Sequence, residues 1–194
     1  CNMLAQLRPS TAGLPVSFIV RSVLAENTID DAEQWLRQIT HASGQNYILS
    51  TANDMRCFEC GADGVVPYQP GPLKGNLFHT NHPLVSEATT AVLPPEKLIN
   101  KNSLARLESI RKRLGDTSRP LTLSDIKAAL AAHDDPKNPV SRNVNNEASF
   151  IGFTAGGSIY EFGNAPCLHL AAGPPCETAF EVFDFKTHAS GNAQ

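Results

Sequence analysis

Two different spacings of apolar residues divide this chain into elements. After Leu14-Pro15, the residues Val16, Ile19, Val20, Val23 and Leu24 recur at helical spacing, and Pro15 suits a first helical turn. A second helix is predicted after Thr28, which can cap it, with Asp30 and Asp31 favoured by the helix dipole in the first turn. Its apolar stripe is Ala32, Trp35, Leu36 and Ile39. The short polar break between the two helices predicts an antiparallel pair.

The period then shortens. Asn46 to Leu49, Met55 to Glu59 and Val65 to Tyr68 are predicted strands, separated by turns at Asn53-Asp54 and Ala62-Asp63-Gly64. A loop at Gly71 to Gly75 leads to a further predicted strand, Asn76 to Asn81, which ends at His82-Pro83. After an irregular, Pro-containing run over 84–100, two more helices are predicted. One spans about Ser103 to Leu114, with Leu104, Leu107, Ile110 and Leu114 apolar. The other starts near Thr122, where Asp125 stands at capping-box spacing and Leu123, Ile126, Ala129 and Leu130 form the core stripe. A polar loop from Asp134 to Asn146 holds Arg142. Four strand-like runs close the chain: Phe150 to Thr154, Ser158 to Phe162, Cys167 to Ala171 and Ala179 to Phe185, with bends at Gly163-Asn164 and Gly173-Pro174-Pro175. Segregated runs of helices and strands predict an α+β layered fold, in one domain over residues 1–186 with a tail at 187–194.

Composition narrows the function. The 194 residues are 41% hydrophobic and 18% charged, enough apolar mass for one real core. The net charge of −3 is spread along the chain without a basic stripe, so no nucleic-acid partner is expected. No apolar run approaches the roughly 18 residues of a membrane span, and no membrane partner is expected. Five cysteines (Cys1, Cys57, Cys60, Cys167 and Cys176) are odd in number and irregular in spacing, unlike a disulfide scaffold, so a cytoplasmic location is the default. The chain opens on Cys1 without an initiator Met, which leads us to expect a processed chain or a fragment.

The densest cluster of chemistry is His79-Thr80-Asn81-His82. On a regular strand His79 and Asn81 share one face and Thr80 and His82 the other. The Asn81 amide can donate to a developing oxyanion. Two histidines could hold a metal, but they would face opposite ways and no neighbouring carboxylate or Cys completes a shell, so no metal site and no cofactor are predicted. Hydrogen-bonded histidines at a polar strand end are the plainer alternative. Cys57-Phe58-Glu59-Cys60 has no second CxxC for zinc and lies in a strand, not at a helix N-terminus, which favours structural cysteines. An N-terminal Cys1 can use its own α-amine, of pKa about 7.7–8.0, as general base. Neither a phosphate-binding loop nor a G-x-S-x-G elbow is present.

His79-Thr80-Asn81-His82-Pro83-Leu84 resembles the H-T-N-H-x-L segment of the acyl-coenzyme A:isopenicillin N (6-aminopenicillanic acid) acyltransferase-like cysteine peptidases, a family of N-terminal-nucleophile hydrolases. Other segments agree in order. Asn2-Met3-Leu4, Arg8-Pro9 and Leu14-Pro15 resemble the family's N-A-L…R-P…V-P stretch, and Ala42 to Tyr47 precedes a strand as in relatives. Ser141-Arg142 resembles I-C-R, and Leu168 to Cys176 resembles the closing strand with G-P-P-C. The likeness spans most of residues 1–185.

The resemblance implies a four-layer αββα sandwich and a cysteine that attacks an amide or thioester after the precursor is cut before it. It implies that Asn81 holds the oxyanion, that a backbone N–H near Asn2 is a second donor, that Arg142 orders the site, and that His79, Thr80 and His82 support it. Cys1 matches the residue before the family's asparagine and not the nucleophile. The catalytic Cys, its Asp and the first strands are therefore expected upstream, and Cys1 is the nucleophile only if the chain is a mature subunit. A second Arg of some relatives would fall near Ile151 and is absent. Expected partners are a small amide, peptide or acyl-CoA substrate and an N-terminal pro-segment or subunit. The alternative function is a non-catalytic binding module that keeps the scaffold.

Overall fold

The structure is a computed structural model that describes residues 1–69, 75–87, 100–115, 118–144 and 152–185. Most of the predicted Gly71–Gly75 loop and of the irregular run over 84–100, the first two residues of the Phe150–Thr154 strand and the tail at 187–194 lie outside these residues. The chain is a mixed α+β protein with two antiparallel sheets. It groups into two compact units, Cys1–Leu121 and Thr122–Gln194. Among the described residues no helix is long and apolar enough to cross a membrane.

The first unit has a four-stranded sheet in the order β1 (Asn2–Met3), β2 (Gln45–Ser50), β3 (Met55–Gly61) and β4 (Gly64–Tyr68). Helices α1 (Val16–Val23) and α2 (Ile29–Gln38) cover one face. Pro15 sits just before the helix as its cap, not in the first turn. The Thr28 hydroxyl accepts from the Asp31 N–H at 3.0 Å, as its capping position predicts. Ile19, Ala32 and Leu36 pack on Tyr47, Leu49, Phe58 and Cys60, the residues that strand alternation sends to that face. Leu24, predicted in the α1 stripe, is exposed at the helix end instead.

The turns follow their chemistry. Gly61 pairs with Gly64, leaving the two-residue loop Ala62-Asp63, and Gly64 has φ +130°, which a side chain resists. In the β2–β3 hairpin the Thr51 hydroxyl accepts from the Asp54 N–H at 3.0 Å. A Cβ on Gly44 would collide with the Leu4 carbonyl, so the approach of chain start to β2 requires glycine.

The predicted strand Asn76 to Asn81 is not one. Among the described residues the segment pairs with no strand. Helix α3 (Lys101–Leu114) starts two residues earlier than predicted, capped by Asn100, whose side chain accepts from the Ser103 N–H at 3.0 Å. It buries Leu107 and Leu114 but also Ser103, while Leu104 is 45% exposed. Ser103, Leu107, Ile110 and Leu114 form the inward stripe by spacing, so the true start of that stripe is a polar residue.

The second unit holds α4 (Leu123–Leu130), with both hydrogen bonds of the Thr122/Asp125 capping box. Its sheet runs in the order β5 (Gly157–Glu161), β6 (Cys167–Ala171) and β7 (Glu181–Asp184). Residues Gly152, Phe153 and Thr154 are not in a strand, and the Thr154 N–H donates to the Arg142 carbonyl at 2.9 Å.

Phe58→Ala should lower unfolding free energy by about 3–5 kcal/mol, since the ring is a fully buried member of the α1–α2 core. Leu104→Ala should stay within about 0.5 kcal/mol. Urea unfolding of both variants checks the burial pattern; equal losses would refute it.

Candidate functional site

Strand pairing puts Asn2, Asn46, Glu59 and Val66 in one row across the first sheet, on the face turned away from α1 and α2. Asn46 and Glu59 are fully buried there. Asn46 donates to the Phe58 carbonyl at 3.3 Å and to the Cys57 sulfur at 2.8 Å. Glu59 meets the segment that follows Gly75. One carboxylate oxygen accepts from His79 Nε2 at 2.9 Å and from the Leu84 N–H at 2.5 Å. The other accepts from the N–H groups of Val85 at 3.3 Å and Ser86 at 2.8 Å.

Burial alone would raise the Glu59 pKa, but His79 and the Leu84 and Ser86 N–H groups outweigh it and hold the carboxyl down at about 2. The other nitrogen of His79, Nδ1, lies 2.6 Å from the Thr80 carbonyl. Both ring nitrogens thus lie beside oxygen atoms, the Glu59 carboxylate on one side and the Thr80 carbonyl on the other. The sequence offered no carboxylate partner for these histidines; the structure corrects this with Glu59, from inside the CxxC run.

The polar groups of residues 79–82 are taken by side chains, not by a ladder, which is why the strand does not form. Asn2 Nδ2 donates to the His79 carbonyl at 3.2 Å. The Thr80 hydroxyl donates to the Ser103 carbonyl at 2.9 Å. The Asn81 N–H donates to Ser103 Oγ at 2.6 Å, and Asn100 Nδ2 donates to the Asn81 carbonyl at 3.3 Å. The Ser103 hydroxyl lies 2.8 Å from His82 Nδ1 and 2.9 Å from the Thr80 hydroxyl. Burial, then the neighbouring His79, pushes His82 below the usual histidine range. Thr80 and His82, placed on one face by strand alternation, do meet, directly at 3.3 Å between Thr80 Oγ1 and His82 Nδ1 and also through Ser103.

The Asn81 carboxamide is held at both ends. Its oxygen accepts from Arg106 Nη2 at 2.9 Å, and its nitrogen donates to the Met3 carbonyl at 3.2 Å. Asn2, His79, Thr80, Asn81 and His82 therefore come together in the first unit. Arg142 belongs to the second unit, where its N–H donates to Thr154 Oγ1 at 3.0 Å. Ser141 beside it donates to Cys176 Sγ at 3.2 Å, joining the two segments that resemble I-C-R and G-P-P-C. Cys57 and Cys60 are buried free thiols. Burial leads in pushing them up, to about 11 and about 12, so both are neutral.

Glu59, Ser103 and Arg106 escaped the sequence reading. A signal existed for two of them: a carboxylate flanked by Cys57, Phe58 and Cys60 in a strand demands a partner, and Ser103 lies on the helical stripe of Leu107 and Leu114.

An α+β protein whose buried polar row pins an H-T-N-H segment against the chain start is the class these observations define. Residues 2–152 match the family described as acyl-coenzyme A:6-aminopenicillanic acid acyl-transferase. The chain belongs to that family, whose name points to acyl-transfer or hydrolytic chemistry. The match ends before β5, short of the full span of the resemblance. No curated protein matches the chain.

Glu59→Gln should destabilise the fold by about 3–5 kcal/mol, because it removes the buried carboxylate that accepts from the Leu84, Val85 and Ser86 N–H groups. The folded pKa of Glu59 lies below its ordinary 4.5, so its stabilisation is complete above pH 4.5 and drains as pH falls towards 2. His82 is also lowered, from 6.5, so stability begins to fall once pH drops below 6.5 and the unfolded chain takes up that proton. Urea midpoints against pH should show both stages in the native protein and lack the lower one in Glu59→Gln. An unchanged acid limb in the variant would refute the role of Glu59.

Proposed function

We propose that this chain forms the oxyanion-holding and substrate-binding part of a cysteine amidohydrolase or acyltransferase acting on C–N amide or thioester bonds. The observation that carries the proposal is the Asn81 carboxamide. Arg106 and the Met3 carbonyl hold it in place, and among the described residues its second N–H has no partner. A fixed donor with a spare N–H suits a tetrahedral oxyanion.

In the proposed reaction a cysteine thiol gives its proton to the α-amine of the same residue and attacks the carbonyl carbon. The S–C bond forms as the carbonyl electron pair moves to oxygen, where Asn81 and a backbone N–H near Asn2 receive the charge. Collapse breaks the C–N bond, and the amine leaves with the proton from the α-ammonium. Water, or a second amine, then cleaves the thioester. The nucleophile comes from upstream of Cys1, Arg142 orders the site, and His79, Thr80 and His82 support the segment that carries Asn81. The substrate is a small amide, a peptide or an acyl-CoA, and no cofactor takes part.

We also infer the finer fold, a four-layer αββα sandwich in one domain, completed by upstream strands from a pro-segment or subunit. Family membership supports this. So does the apolar face of the β5–β7 sheet, where Tyr160, Phe162, Phe183 and Phe185 are 47–58% exposed, as a surface with a missing partner would be.

The test is turnover of amide substrates by the full-length protein. Asn81→Ala should lower kcat by about 10²–10³-fold, with KM little changed, and Cys1→Ser should leave turnover intact. Loss of acylation in Cys1→Ser would move the nucleophile to Cys1. A full-length protein that binds amides but never turns them over would instead be a binding module.

A further inference from the structure

We propose that the β5–β6 hairpin carries a zinc-class divalent metal site made of Glu161, Cys167 and His169, with a fourth position open to water. The site lies outside the family-matched segment and does not depend on the proposed acyl chemistry.

The hairpin register builds it. Glu161 stands directly opposite Cys167, and His169 follows two residues later on the same face of β6. The three donor atoms lie within 4.8 Å of one another, and among the described residues this is the one such group of His, Cys and acidic side chains. Cys167 Sγ is 3.5 Å from His169 Nε2 and 3.8 Å from a Glu161 carboxylate oxygen, and that oxygen is 3.1 Å from His169 Nε2.

These are the edges of a coordination tetrahedron. Zinc bonds of about 2.3 Å to sulfur and about 2.0–2.2 Å to nitrogen and oxygen, at tetrahedral angles, give edges of about 3.6 Å for S···N, about 3.6 Å for S···O and about 3.4 Å for N···O. The observed triangle fits each within a few tenths of an ångström. Thiolate, imidazole and carboxylate together suit zinc over calcium or magnesium, which take oxygen ligands.

Access is one-sided, as an entry path requires. His169 is buried, Cys167 is half-buried, and the Glu161 side chain is 58% exposed. As the metal–sulfur bond forms, the thiol proton passes to solvent. Asp184, the register partner of Cys167 on β7, adds negative charge on the same face. The opposite face carries Tyr160 and Phe183, so the ion site and the apolar surface do not overlap.

The experiment is zinc titration of the reduced chain against a chromogenic chelator, with cobalt(II) as the spectroscopic stand-in. One ion per chain is expected, with a thiolate-to-cobalt charge-transfer band. Cys167→Ser and His169→Gln should each weaken binding by more than the roughly 10–100-fold that outer-sphere partners are worth, and Cys167→Ser should abolish the band. Cys176→Ala and His133→Ala should change neither. Glu161→Gln, at the exposed end, guards against misfolding: it should weaken binding while the melting temperature without metal stays at the native value. Zinc should raise the melting temperature of the native protein and not of Cys167→Ser. Absence of saturable one-to-one binding, or binding unchanged in Cys167→Ser and His169→Gln, would overturn the proposal and leave a plain cross-strand polar cluster.

Discussion

The first unit turns on one buried carboxylate. A segment such as residues 79–86, which joins no sheet among the described residues, must still satisfy its backbone N–H groups when it packs on a protein surface. Glu59 does this for three of them at once and also takes the His79 ring. A charge so deeply buried is tolerated only because every one of these donors is present. The dependence is mutual. The carboxylate would be costly without the loop, and the loop would lack its anchor without the carboxylate.

The position of Asn81 follows from that anchor in a short chain of causes. β3 fixes Glu59, Glu59 fixes His79 on one side and residues 84–86 on the other, and Asn81 is left between them. Ser103 and Arg106 on α3 and Met3 at the chain start then set its backbone and its amide. The parts come from four separate stretches of sequence, so the arrangement is a tertiary property that no local pattern encodes.

That explains what could be read from the residues alone. The hairpins, the Thr28 and Thr122 caps and the α1–α2 core were legible because each depends on neighbours in sequence. Asn76 to Asn81 misled because a strand-like run of residues reads the same whether strands or side chains supply its backbone partners. Leu104 misled because hydrophobicity suggested a helix face that begins at Ser103. The H-T-N-H cluster itself was legible as unusual, yet its partner was hidden in a run that drew attention for its cysteines. The Glu161, Cys167 and His169 group was invisible for a related reason: it requires the exact pairing of two strands across a bend at Gly163-Asn164.

Because side chains on a strand alternate, Glu59 also guards the alignment of its sheet. If β3 slid by a single residue against β2, the carboxylate would turn into the greasy layer under α1 and α2, and Phe58 would turn towards the polar loop. A pairing misaligned by one residue could satisfy neither. The residue that steadies the loop therefore also disfavours a one-residue slip of its sheet, and the native alignment that it favours is the one from which the loop carrying Asn81 is held.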